Sequence, residues 1–157
     1  MKKLDKTDIK ILNLLIEDAR KPYLEIAKAC DLSRAAIHQR IQRLIGSGII
    51  SGSQSIVDFK SLGYKTFTYI GIGLERGSLY NSVVERLAQI PEIVECNYTT
   101  GPYNMLIKLY ARDNDHLMHI LNDQIQIIEG ITSTETMISL KQSFRRPFRI
   151  LEEKLED

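Results

Sequence analysis

The 157 residues suffice for one ordinary domain or two small ones, and 43% hydrophobic with 26% charged residues is the balance of a folded protein, not a disordered one. No apolar run approaches the ~18 residues of a membrane-spanning helix, and the start, MKKLDKTDIK, lacks the pattern of a secretory signal. A formal net charge of +1 excludes any argument for nucleic acid from total charge, yet residues 1–52 hold ten Lys and Arg against six Asp and Glu while the remainder is net acidic.

LDKTDIKILNLLIEDAR predicts a first helix, with Ile9, Leu12 and Ile16 on one stripe, Asp5 as its N-cap and Asp8 in its first turn. Pro22 then opens a short second helix, PYLEIAKAC, offering Leu24, Ile26, Ala27 and Cys30 for packing. Asp31-Leu32 leads to Ser33, the cap of a third helix. On a wheel of 100° per residue, Ile37, Ile41, Leu44 and Ile45 of that helix share one third of the circle. Opposite lie Ala35, Gln39, Gln42 and Arg43, with Ala36 and Gly46 flanking, Arg34 in the first turn and His38 at the edge.

Two short helices, a tight connection and a helix with this outer face predict a helix-turn-helix. The DNA major groove admits one helix whose outward side chains are slim near its backbone. Ala35 and Ala36 allow close approach and touch thymine methyls; Gln39 and Gln42 match adenine; Arg34, Arg40 and Arg43 reach guanine edges or phosphates, and Ser33 a phosphate. For one such helix taken alone, an ordinary solvated polar face is the better explanation. The three-helix context, the cap and the local charge favour DNA. GSGIISGSQSIVDF, with glycines followed by alternating apolar residues, predicts a β-hairpin or extended ribbon that closes this unit as a wing, and then a linker.

Beyond a boundary near residues 59–64, KTFTYIGIGLE predicts a strand, SLYNSVVERLAQI a helix, IVECNYTT a strand, GPYN a turn, MLIKLYARD a strand, NDHLMHILNDQIQII a helix and ITSTETMISLKQSF a last strand. The order βαββαβ is ferredoxin-like. The expected fold class is therefore α+β: a winged helix-turn-helix domain over 1–52, a hairpin or linker over 53–64, a ferredoxin-like domain over 65–145, and a tail over 146–157, either a helix joining subunits or a frayed end. The first strand is apolar on both faces, with Ile70, Ile72 and Leu74 on one and Phe67 and Tyr69 on the other. The second face requires a cover, and a second copy of the sheet supplies one, predicting a homodimer with two recognition helices about one DNA turn apart.

Other chemistry is poorly supported. His116 and His119 are spaced i, i+3 without a third ligand at a recognisable spacing. GIGLERG places Gly71 and Gly73 inside a strand pattern, not at a strand–helix turn, which argues against a phosphate loop. No GxSxG, P-loop or CxxC is present, and Cys30 and Cys96 read as reduced packing residues of a cytoplasmic protein. Neither an enzyme nor a metal protein is expected.

Four stretches in this order, LDKTDIKILNLL, SRAAIHQRIQRLIGSGIISG, YTTGPYNMLIKL and IQIIEGITSTETMISL, resemble the Lrp/AsnC family of prokaryotic transcriptional regulators, the last two most of all its AsnC-type branch. The resemblance implies a DNA-binding domain, a linker and an amino-acid-sensing βαββαβ domain, with dimers assembling further, commonly to octamers. It implies an effector bound between dimers, asparagine for this branch, with no other cofactor. By position, Tyr98, Thr100, Gly101, Tyr103 and Asn104 form one wall of that site and Gln126, Ser133 and Thr134 the other. Asn104 stands where many relatives carry an acid, and Asp31 where many carry glycine. A DNA-organising protein without effector, or a small-molecule binder with an incidental helix-turn-helix, are the alternative readings.

Overall fold

In the computed structural model, which describes residues 4–151, the chain divides into two units: the described residues of Met1–Ile56 with those of Phe144–Asp157, and Val57–Ser143.

The first unit begins with helix α1, Lys6–Glu17. Asp5 accepts a hydrogen bond from the Asp8 N–H and the Asp8 side chain accepts one from the Asp5 N–H, a reciprocal cap that satisfies two otherwise orphaned donors. Pro22 sits one place before α2, Tyr23–Cys30, where its fixed φ costs nothing, and its carbonyl accepts from the N–H groups of Glu25 and Ile26. The helix ends at Asp31 in the left-handed conformation, φ 53° and ψ 47°, which Asp tolerates better than most non-glycine residues. Helix α3, Arg34–Gly46, starts at Ser33, whose Oγ accepts from the Ala36 N–H at 3.1 Å. Ile11 and Leu12 of α1, Ile26 and Ala27 of α2, and Ile37, Ile41 and Leu44 of α3 form the core of this unit. Ile45, expected in that core, is exposed.

The expected wing is not formed. Ile49 and Ile50 both donate their N–H groups to the Leu44 carbonyl, folding back over the end of α3 through Gly48, and Ile50 packs on the helical core. Their N–H groups thereby cap the helix while the Ile49 side chain stays exposed, and residues 51–58 carry no regular structure, with Ile56 89% exposed. An isolated two-stranded hairpin without a third strand or a helix to lean on is marginal in water. Residues 144–151 are also without regular structure, but Ile150 packs against the helical core, and its backbone exchanges two hydrogen bonds with the Asn13 side-chain amide, at 2.9 and 3.0 Å. The remainder of the expected tail, 152–157, lies outside the described residues.

The second unit is built on strands β1 (Thr66–Leu74), β2 (Ile93–Tyr98), β3 (Met105–Ala111) and β4 (Ile131–Ile138), in the spatial order β2-β3-β1-β4 and antiparallel throughout. With helices between β1 and β2 and between β3 and β4, this is the expected βαββαβ arrangement. Helix α4, Tyr80–Leu87, follows a 3₁₀ turn, and α5, Asn114–His119, widens into a π turn over Ile120–Ile125. The i→i+5 spacing brings Ile120 and Ile125, both fully buried, to the same side, where a regular helix would set them apart. Ile70, Ile72, Met105, Ile107 and Leu109 meet Val83, Leu87, Leu117, Ile120 and Ile125 in one core. Both cysteines are free and packed against the cores of their units, and burial pushes both thiols up.

The opposite sheet face carries aromatic side chains. Phe67 stacks on Tyr110 with ring centroids 5.1 Å apart and meets Tyr69 edge-on at 5.0 Å. Lys108, nearly buried on this face, lies 5.3 Å from the Phe67 centroid and 3.7 Å from Glu95.

Because the Ser33 hydroxyl caps α3, Ser33→Ala is expected to lower stability by about 1 kcal/mol. Denaturant titration of the full chain measures it, and Ser33→Asp, which keeps an acceptor, is expected to restore most of the loss.

Candidate nucleic-acid interface and effector site

Helix α3 exposes the residues that the sequence points toward DNA. Ser33, Arg34, Ala35, His38, Gln39, Gln42 and Arg43 are exposed, and Ala36 and Arg40 are half-buried. His38 lies against Tyr23 of α2, with ring centroids 5.9 Å apart. Gln39, Arg40 and Arg43 line a recess of about 460 Å³.

Two of these residues have a second engagement that the wheel does not reveal. Arg40 donates from Nη1 to Asp5 Oδ2 at 2.6 Å and to Asp8 Oδ1 at 2.8 Å, and Arg43 donates from Nη2 to Asp8 Oδ2 at 2.5 Å. Asp8 is only 1% exposed. A carboxylate buried this far must be paired and hydrogen-bonded, and the two guanidiniums do both. The sequence signal was the Asp5–Asp8 spacing, readable as a cap but not as a receptor for two arginines. Arg40 and Arg43 thus lock α1 to α3, so truncating either one disturbs helix packing as well as any contact with DNA.

For Asp5, burial raises the carboxyl pKa, but the Arg40 hydrogen bond, the Asp8 N–H and the charges of Arg40 and Arg43 outweigh it and hold it below the ordinary value. Such a group stabilises the fold fully above its unfolded pKa of about 3.9, and the contribution is lost as pH falls through the folded value. Unfolding midpoints are therefore expected to drop between pH 5 and pH 3, and to drop less in Asp5→Asn, in denaturant titrations at the two pH values.

The residues assigned to the effector site fall into two groups in one chain. The hairpin joining β2 to β3 is closed by the Thr99 N–H on the Asn104 carbonyl and by Thr99 Oγ1 on the Tyr103 carbonyl. Thr99, which sequence reasoning passed over in favour of Thr100, is the residue that ties the loop. Thr100 and Gly101 stand exposed at its tip, with Gly101 at φ +119°, a conformation that side-chain-bearing residues rarely adopt. Tyr103 turns its ring over Gly71 of β1. Hydrogen bonding toward Glu135 of β4 first, then burial and the Glu135 charge, push its phenol up. Ser133 lies on this same open face, where its Oγ fills the space beside Gly73.

Gln126 and Thr134 lie on the helix-bearing side, joined by a 2.8 Å hydrogen bond from Gln126 Nε2 to Thr134 Oγ1. Ser133 and Thr134 are neighbours in a strand and therefore point to opposite faces. Tyr98 is on the helix side of edge strand β2, its ring 4.6 Å from that of Tyr80, with two strands between it and β4. Asn104 is already engaged: its N–H donates to the Ile72 carbonyl and its Oδ1 accepts from the Leu74 N–H, where the β1–β4 register shifts. It fastens the loop to β1.

His116 and His119 serve separate partners. The Arg112 N–H donates to His116 Nδ1, His116 Nε2 lies 3.5 Å from Glu92, and His119 Nδ1 lies 2.6 Å from Asp123. Among the described residues no three His, Cys, Asp or Glu side chains are grouped to hold a metal, and no helix is long and apolar enough to cross a membrane.

A three-helix unit with an exposed, capped third helix, followed by an antiparallel βαββαβ unit, defines the class of two-domain helix-turn-helix proteins. Residues 4–45 match the AsnC-type helix-turn-helix domain and residues 68–147 the Lrp/AsnC ligand binding domain. The chain is 39% identical over 149 residues to the regulatory protein AsnC of Haemophilus influenzae, covering 95% of this chain and 99% of that one. It is 39% identical over 138 residues to the HTH-type transcriptional regulator FL11 of Pyrococcus furiosus, covering 88% and 90%. The solved structure of Escherichia coli AsnC superimposes with a TM-score of 0.88 at 38% identity, covering 94% and 99%. A transcriptional regulator from Neisseria meningitidis, solved in complex with L-Met, shares the fold at a TM-score of 0.90 and 22% identity, covering 98% and 99%. The chain belongs to the Lrp/AsnC family of transcriptional regulators.

A Cβ at position 71 would fall 2.5 Å from the Tyr103 ring, so Gly71→Ala is expected to displace that ring and move its hydroxyl away from Glu135. Tyrosine-selective NMR titration would then show the Tyr103 phenol ionising closer to the ordinary value of about 10 than in the parent.

Proposed function

We propose that this protein binds double-stranded DNA through the exposed face of α3 and that a small amino acid, asparagine in the first instance, modulates the binding from a site between dimers. The contact set on DNA is Ser33, Arg34, Ala35, Ala36, His38, Gln39, Arg40, Gln42 and Arg43. The observation that carries the reading is the match of both halves of the chain, in order, to the two domains of one regulator family. The relatives it matches over nearly their whole length are named as regulators, not as enzymes.

The effector residues give this reading a physical reason to involve more than one chain. Tyr98, Thr100, Gly101, Tyr103, Asn104, Gln126, Ser133 and Thr134 lie on both faces and both edges of one sheet, so a single chain does not enclose a ligand with all of them. Apposition of loops and edges from neighbouring dimers would. The backbone N–H groups of the exposed residues Thr100 and Gly101 suit a carboxylate, and the hydroxyls and amides around them suit the polar remainder of an amino acid. The aromatic open face of the sheet, with Phe67, Tyr69 and Tyr110, is the surface through which two copies pair, and dimers then join into a higher oligomer, an octamer in this proposal. The protein acts in the cytoplasm.

Two measurements test it. Filter binding across a salt series, with a duplex enriched from a randomised pool and a shuffled control, is expected to show preference for the first at every salt concentration, and equal affinity would overturn the DNA reading. Calorimetry with asparagine is expected to give heat with the parent and none with Gly101→Val, while that variant keeps its DNA affinity. An unaltered titration in the variant would move the effector site elsewhere.

A further inference from the structure

We propose that Asp8 is a positioning residue for DNA recognition: its buried carboxylate fixes the guanidiniums of Arg40 and Arg43 in place before DNA arrives. The inference rests on the reading of α3 as the DNA-contacting helix and goes beyond it, because Asp8 lies on α1 and touches no nucleic acid in this account.

The geometry is specific. Arg40 and Arg43 are three residues apart, so their side chains rise from one side of α3. One carboxylate receives both, Oδ1 from Arg40 and Oδ2 from Arg43, and Oδ2 also accepts the Asp5 N–H at 3.2 Å. Each arginine commits a single terminal nitrogen to these carboxylates. Among the described residues the other guanidinium nitrogens have no carboxylate within ion-pair distance. The side chains are nonetheless accessible, 28% for Arg40 and 52% for Arg43, and both border the recess they share with Gln39. A guanidinium tied at one end and open at the other has lost much of its rotamer freedom in advance, so that ordering is not charged against binding. Base discrimination by bidentate contact depends on such placement; attraction to phosphate does not.

Asp8 also sets a negative charge behind the reading face. Its effects on the two kinds of binding are therefore opposite in sign. Holding the arginines sharpens the choice among sequences, while the charge itself weakens the general pull of the polyanion. A carboxylate that mattered only for folding would move both kinds of binding together.

The test compares full-length parent and Asp8→Asn on the duplex that the parent enriches from a randomised pool and on its shuffled counterpart. The expected result is about a tenfold loss in the ratio of the two affinities, with the affinity for shuffled duplex unchanged or higher. A ratio equal to the parent's, or a parallel fall in both affinities, would overturn the proposal. A parent that shows no preference would overturn the reading beneath it and this inference with it. Should Asp8→Asn fail to fold, side-chain NMR of the unmutated protein decides: with Nη1 of Arg40 and Nη2 of Arg43 held, their Nη–H groups are expected to rotate slowly and give separate signals, while those of Arg34 average to one. Averaged signals at all three arginines would show that nothing holds the pair.

Discussion

A single buried carboxylate organises the helical half of this protein. Asp8 has almost no access to water, and a charge so placed is tolerable only because Arg40, Arg43 and the Asp5 N–H surround it. The same group finishes the N-terminal cap of α1, so one carboxylate serves both the helix cap and the contact between α1 and α3. The apolar core of Ile11, Ile26, Ile37, Ile41 and Leu44 supplies most of the cohesion and sets which stripe of α3 faces inward. The ion pairs add directed contacts between α1 and α3 on the other flank.

In the sheet half the governing constraint is the two-residue period of a strand. It assigns Ile70 and Ile72 to the helices and Gly71 and Gly73 to the open side, where the missing side chains leave room for the Tyr103 ring and the Ser133 hydroxyl. It also parts Ser133 from Thr134. The loop after β2 is made rigid by Thr99 and Asn104, so its glycine tip is the one stretch there free of tertiary hydrogen bonds among those described. Rigid shoulders around a bare tip suit a surface that meets a second molecule.

Much of this was legible in the residues. Apolar spacing gave the three helices and the order of strands, because burial of one stripe or one face is a property of the local sequence. Ser33 as a cap follows from side-chain chemistry alone, whereas Asp31 stood out only through the resemblance, as the residue where relatives often carry glycine, and it takes the left-handed conformation that glycine would. The wing was misread, since alternating apolar residues do not reveal whether a third strand is at hand, and Ile49 and Ile50 found a helix end to cover instead. The π turn was invisible to a wheel that assumes a fixed angle. Arg40 and Arg43 were read as facing outward only, because their partners are more than thirty residues away in the chain. The separation of Ser133 from Thr134 was available from strand alternation; position within a resembling motif had grouped them.

The paired hydrogen bonds between Asn13 and Ile150 give the molecule a nested architecture, not a tandem one. The polypeptide leaves the helical unit after residue 56, runs through the entire sheet unit, and comes home at residue 144. The sheet unit is thus an insert whose entry and exit both root in the DNA-reading part. A protease nick between residues 53 and 64 would leave a helical fragment still gripped by its own far terminus, and a gene fragment encoding only the first 56 residues would yield helices missing a native neighbour.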